Sequence, residues 1–149
     1  MPDPALPLIA SPSACTCARV RKAARRVSQI YDQHIEPYGL TVTQFGILAQ
    51  LRSLDGVSIG QLAERMVMDP TSLTRGLKPL ERRGLVAQAP DPNDRRARRL
   101  TLTEEGRQAL RAARPGWERA QAQVAAALGP VHLADLTDAL DTALARLSA

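Results

Sequence analysis

The sequence predicts a mainly α-helical domain that carries one small β-hairpin, and three observations predict it. Apolar residues recur at three- and four-residue spacings through most of the chain. Helix starts are marked by Thr41-Val42-Thr43-Gln44 and Ser58-Ile59-Gly60-Gln61, which fit capping boxes, and by Asp69-Pro70, an N-cap followed by proline at the first helical position. Between Gly84 and Thr103 the pattern changes to two short runs around the turn-rich Asp91-Pro92-Asn93-Asp94, the mark of a hairpin.

Residues 1–14 hold four prolines and no periodicity, so a disordered tail is expected there. A first helix begins at Cys17, with Val20, Ala24, Val27, Tyr31, His34 and Tyr38 on its stripe, and ends at Pro37 and Gly39. The second buries Phe45, Leu48 and Leu51, and Asp55-Gly56 turns the chain. A short helix turns Ile59, Leu62, Ala63 and Met66 inward, and the next buries Leu73, Leu77 and Leu80 up to Gly84. Pro79 removes that helix's bond to the Arg75 carbonyl, so a bend is expected. "LVAQA" at 85–89 reads as a strand and Leu100-Thr101-Leu102 as its partner. From Thr103 a long helix carries Leu110, Ala113, Trp117, Ala120, Val124 and Leu128, with a kink expected at Pro115-Gly116. Gly129-Pro130 breaks it, and a last helix repeats Leu133, Leu136, Leu140, Leu144 and Leu147, as core or as a partner face.

Composition narrows the function. With 44% apolar, 23% charged and only 3% aromatic residues, the core must be aliphatic. No apolar run approaches the roughly 18 residues of a membrane span, so no membrane partner is expected. No basic region precedes "ALPLIA", which argues against a signal peptide, and Cys15 and Cys17 are too close for a useful structural disulfide. A cytoplasmic protein is expected. The formal charge is +5, and residues 65–111 hold eleven Lys/Arg against six Asp/Glu, while the rest of the chain holds nine of each. A basic excess gathered in one third suggests a polyanionic partner, although a solvated basic face would have the same composition.

A short helix, a tight turn, a second helix and a hairpin make a winged helix-turn-helix. A wheel centred on Leu73, Leu77 and Leu80 points Thr71, Arg75, Lys78 and Arg82 the other way. Thr71, Ser72 and Arg75 occupy the first turns, where recognition helices meet base edges, though Thr71 and Ser72 are also suited to plain capping. Arg75 can be bidentate to guanine. Lys78 and Arg82 lie deeper, at phosphate positions. Arg95, Arg96, Arg98 and Arg99 sit at the hairpin tip and edge, where a wing reaches into the negative minor groove. Asp94 is expected to hold the Arg96 guanidinium in orientation.

The stretch "SIGQLAERMVMDPTSLTRGLKPLERRGLV" followed by "PDPNDRRARRLTLTEEG" resembles the winged-helix core of the MarR family of bacterial transcriptional regulators. The resemblance spans about residues 18–147. It implies a homodimer joined through its first and last helices, bound to a palindromic double-stranded DNA operator, usually as a repressor. It divides the chain into a tail (1–14), a dimerisation helix (15–40), a DNA-binding lobe (41–103) and further dimerisation helices (104–149). Carried over by position, DNA contacts fall on Thr71, Ser72, Thr74, Arg75 and Lys78, with Arg96 at the wing tip and Asp94 as its orienting carboxylate.

No cofactor is required by this reading. The resemblance implies release by a small aromatic acid or by cysteine oxidation. The family's ligand pocket would lie where the first, second and fifth helices meet the lobe, with Tyr31, His34, Tyr38 and Phe45 as candidate liners, although core or dimer packing is the more ordinary explanation of each. Cys15 and Cys17 lie near a helix N-terminus beside Arg19, Arg21 and Lys22, surroundings that favour thiolate. Two such pairs in a dimer offer four sulfur donors, enough for a soft metal ion. Two exposed thiols on a tail would give the same sequence. The family's peroxide-sensing cysteine lies within the first helix, so that mechanism does not carry over directly. Enzymatic chemistry is not expected: His34 and His132 stand on different helices without ligand-spaced partners, and no phosphate-cradling glycine loop is present. The alternative is a non-specific architectural DNA- or RNA-binding protein using the same basic patch, although scarce aromatics argue against single-strand stacking.

Overall fold

The computed structural model describes residues 14–148 except residue 55. The tail expected over residues 1–14 lies outside the described residues apart from Ala14. The chain then runs through α1 (Thr16–Ile35), a 3-10 turn (Glu36–Tyr38), α2 (Val42–Arg52), β1 (Val57–Ser58), α3 (Ile59–Arg65), α4 (Pro70–Arg82), β2 (Val86–Asp91), β3 (Asp94–Leu102) and α5 (Glu104–Arg146). No described helix is long and apolar enough to cross a membrane.

The caps form as their residue types dictate. Thr41 Oγ1 accepts the Gln44 N–H at 3.1 Å, and the Gln44 side chain accepts the Thr41 N–H at 3.1 Å. Ser58 and Gln61 repeat the exchange at 3.1 and 3.0 Å. Such caps contribute about 1 kcal/mol each and fix where α2 and α3 begin. α1 is tied to the start of α2 by Asp32, whose carboxylate accepts the Val42 N–H at 2.7 Å.

The helices and sheet close over an aliphatic core. Ile35, Ile47, Leu48, Leu51, Leu62, Leu73, Leu77, Leu80 and Leu100 are fully buried. Each large aliphatic side chain so placed contributes about 1.5–3 kcal/mol relative to exposure. α5 seats directly on this core. A Cβ at Gly106 would stand 2.1 Å from the Leu85 carbonyl oxygen, and one at Gly116 would stand 2.3 Å from that of His34. Only glycine permits both approaches, and through them α5 touches the root of the hairpin and the end of α1.

Several expectations need correction. The sheet has three antiparallel strands in the order β1-β3-β2, because Val57 and Ser58 pair with Leu100 and Arg99. Two residues wedged between a turn and a cap carry no alternation, so β1 left no sequence signal. The hairpin strands are longer than expected and leave Pro92-Asn93 as the turn, so the arginines stand on β3. Pairing shifts between Pro90↔Arg98 and Asp91↔Asp94, which leaves Arg95, Arg96 and Ala97 in a bulged arc without partners on β2.

No backbone break accompanies Pro115-Gly116. The one non-helical residue in α5 is Gly129, at φ 75° and ψ 162°, so the break expected at Gly129-Pro130 is present. Pro115 is tolerated because it lies on the exposed side, where water can take the freed Arg111 carbonyl. α4 likewise continues through Pro79 to Arg82. Trp117, expected on the buried stripe, is 37% exposed. Beyond Gly129 the stripe leaves Leu136, Leu140, Leu144 and Leu147 exposed, and Val20 of α1 is exposed as well.

Candidate nucleic-acid interface

α4 has the two faces its wheel demanded. Leu73, Leu77 and Leu80 are buried, while Thr71, Ser72, Arg75, Lys78 and Arg82 are exposed. The hydroxyls are not equivalent. Asp69 caps the helix by accepting the Ser72 N–H at 2.9 Å, and the Ser72 hydroxyl donates to the same carboxylate. These bonds, the hydroxyl's first, hold Asp69 below the usual carboxylate range. Thr74 is half-buried and donates its hydroxyl to the Pro70 carbonyl at 2.7 Å. Ser72 and Thr74 are thus committed within the helix, Thr71 and Arg75 are presented outward from its first turns, and Lys78 and Arg82 stand deeper on the same face.

The wing displays Arg95, Arg96 and Arg98, all exposed. Asp94 does not grip the Arg96 guanidinium as expected. Its carboxylate accepts the Arg96 backbone N–H at 3.0 Å, because a short side chain reaches the amide two residues on more readily than a distant side-chain tip. Asp91 accepts the Asn93 N–H at 2.8 Å in the same way. Both carboxylates therefore shape the turn from which the arginines project. Arg99 serves a different end. Its Nε lies 3.8 Å from Asp91 and its side chain covers Gly56, so it ties the wing root to the turn before β1.

The four candidate liners do not share one cavity. A half-open cleft of ≈ 490 Å³ lies between α2 and α5, and of the four expected liners only Phe45 lines it. Phe45, Ala49, Leu110 and Trp117 form its apolar surface, with the two rings 6.5 Å apart at 12°. Arg52, Arg107, Arg111 and Arg114 line the rest. Tyr31 packs against the core, and burial pushes its hydroxyl up. His34 is bonded to Gln123 at 2.7 Å, and the Tyr38 hydroxyl accepts from Arg119 at 2.9 Å. These two side chains are occupied in joining α1 and its 3-10 turn to α5. Cys15 is the N-cap of α1, its sulfur accepting the Ala18 N–H at 3.4 Å, and Cys17 is exposed in the first turn.

Sequence reasoning missed the cleft's arginines. Arg107, Arg111 and Arg114 interleave with Leu110 and Trp117 at helical spacing, a face on which cations and apolar groups are mixed, and that mixture was the available signal. It also missed Arg83, which donates to the Gly39 carbonyl at 2.6 Å, and the bond from Gln88 to Glu81 that joins β2 to α4. The first joins residues 44 apart in sequence, and the second depends on how β2 folds back beside α4.

Comparison with known proteins agrees with this architecture. A family model described as the MarR family matches residues 40–97. The chain is 36% identical to the M. tuberculosis transcriptional regulator MosR, solved in complex with DNA, covering 91% of this chain and 99% of that one with a TM-score of 0.76. It is 27% identical to Bordetella bronchiseptica BpsR, covering 87% and 93% with a TM-score of 0.78. The transcriptional activatory protein BadR of Rhodopseudomonas palustris is 34% identical over 92 residues, 60% of this chain and 53% of that protein. The chain thus spans about half the length of the curated relatives it matches.

Proposed function

Because the chain belongs to the MarR family of winged-helix transcriptional regulators, we propose that it acts as a homodimer that binds a palindromic double-stranded DNA operator and represses transcription until a signal releases it. The observation that carries this reading is the pairing of α4 with the wing on one lobe. α4 buries Leu73, Leu77 and Leu80 and presents Thr71, Arg75 and Lys78, while the wing beside it presents Arg95, Arg96 and Arg98. Thr71 and Arg75 read base edges in the major groove, while Lys78, Arg82 and the wing arginines hold phosphates and the minor groove. Two-fold symmetry sets two such lobes about one helical turn of DNA apart.

The release signal is an aromatic acid held in the α2–α5 cleft, where rings and guanidiniums meet. The DNA binding of BpsR is regulated by 6-hydroxynicotinic acid, which supports a ligand of that kind. A thiol or soft-metal signal is the second reading, favoured by the capping of α1 by Cys15 with Cys17 exposed in the first turn. Oxidation or metal binding there would release the cap and tilt α1, and with it the spacing of the two lobes.

The test is fluorescence anisotropy against a duplex obtained by selection and against random duplex, across a salt series. The reading expects the selected duplex to bind at least about a thousandfold tighter, with a salt slope set by the number of phosphates contacted. Equal affinity for both would instead assign the basic patch to a non-specific architectural protein.

A further inference from the structure

We propose that the α2–α5 cleft is built for an aromatic ring carrying two negative charges. The proposal rests on the effector reading of the same cleft and narrows the ligand from an aromatic acid to an aromatic dianion.

The apolar part of the site explains the ring. Phe45 and Trp117 lie nearly parallel, and Ala49 and Leu110 complete a surface that offers π-faces and methyl groups. A cleft of ≈ 490 Å³ is within the range of small-molecule sites and holds a ring with substituents. A surface that met only phosphate backbone would gain nothing from this apolar floor, so the four arginines are not explained as an extension of the DNA interface.

The charges explain the second anion. Of the four guanidiniums, Arg111 has Glu104 at 3.0 Å and Arg114 has Glu118 at 2.8 Å. Arg52 and Arg107 have no carboxylate within ion-pair distance among the described residues. They stand on different walls, Arg52 at the last turn of α2 and Arg107 in the first turns of α5. Four cations against two carboxylates leave two positive charges around one concave, apolar-floored cleft, where gathered like charges raise the local positive potential. A monocarboxylate can neutralise one and leaves the other guanidinium facing uncompensated charge. A ring bearing two carboxylates, or one doubly ionised phosphate, gives each wall an anion, and each planar guanidinium can take its partner through two parallel hydrogen bonds.

Calorimetric titration of the full chain with phthalate and with 2-methylbenzoate, which match in size and differ by one charge, tests this. Phthalate should bind at least about tenfold tighter, because one further charge-assisted pair is formed. Arg52→Gln and Arg107→Gln, both changes at exposed side chains, should each bring phthalate down to the level of 2-methylbenzoate. Equal binding of the two ligands by the unaltered protein would overturn the dianion while keeping the aromatic-acid reading, and binding of neither would overturn both. A preference for phthalate that survived both substitutions, with duplex DNA affinity lowered instead, would assign these arginines to phosphates and overturn the proposal as well.

Discussion

The lobe between Leu40 and Ala113 and the arm of α5 beyond Gly129 use the same kinds of residue to opposite ends. In the lobe, leucines at helical spacing meet other leucines, and Leu73, Leu77 and Leu80 are at most 1% exposed. In the arm the spacing is just as regular, yet Leu140 is 44% and Leu144 58% exposed. A periodic apolar stripe reports that a face seeks cover, and it does not report whether the cover lies in the same chain. The lobe completes its own core, and on the reading above the arm's cover is a second copy.

The largest test of this contrast breaks the arm. Leu140→Glu with Leu144→Glu places two charges on the face assigned to the partner. The double variant should run as a monomer in light scattering at micromolar concentration. Its operator affinity should fall roughly 100- to 10,000-fold, the advantage of binding two half-sites through one linked particle. A dimer that persists would place the interface elsewhere. The contrast is sharpened by cutting one leucine in each region. Leu73→Ala should cost about 2–5 kcal/mol by opening a cavity in the lobe, with a fall in Tm that does not depend on protein concentration. Leu144→Ala should lower Tm in a way that does depend on concentration, since it weakens association. Equal concentration dependence for the two would erase the distinction between lobe and arm.

What was legible in the sequence divides along the same line. Local chemistry was legible: Thr41, Ser58 and Asp69 cap their helices, and the faces of α4 follow from Leu73, Leu77 and Leu80 alone. Features that depend on residues distant in sequence were not. The two residues of β1 are a strand only because Leu100 and Arg99 lie opposite. The unpartnered arc of Arg95, Arg96 and Ala97 is defined only by the pairing of β2 and β3. The cleft formed beside Trp117 because that ring meets Phe45 of another helix, while His34 and Tyr38 were drawn away by Gln123 and Arg119. The fold of the motif-dense winged-helix lobe was therefore read nearly whole, and the cleft was read at one residue, Phe45.

Within the lobe, Arg75 separates base reading from mere attraction. Arg75→Ala should cost about 1–3 kcal/mol on the operator and relax preference at one base pair in each half-site. Lys78→Ala should weaken operator and random duplex alike and reduce the salt slope by about one. Parallel losses for the two variants on both duplexes would make α4 a phosphate-binding helix.

The smallest expected effect lies at the wing, and it distinguishes two roles for one carboxylate. Arg96→Ala removes an exposed cation and should lower the salt slope by about one. Asp94 carries a negative charge at the same tip, so electrostatics alone expects its removal to tighten DNA binding. Its bond to the Arg96 N–H works the other way, since the bond holds the bulged arc from which Arg95 and Arg96 project. Asp94→Asn keeps an oxygen acceptor and loses the charge, so it should bind as tightly as the parent or slightly tighter. Asp94→Ala loses both and frees the arc, and it should bind weaker by about the 0.5–1.5 kcal/mol of a single hydrogen bond. Anisotropy on one duplex at one salt concentration ranks the three proteins. The order asparagine variant at or above parent, with the alanine variant below, is the one that backbone bonding requires. If both variants fell equally, the charge itself would be what matters, and Asp94 would be holding the guanidinium after all.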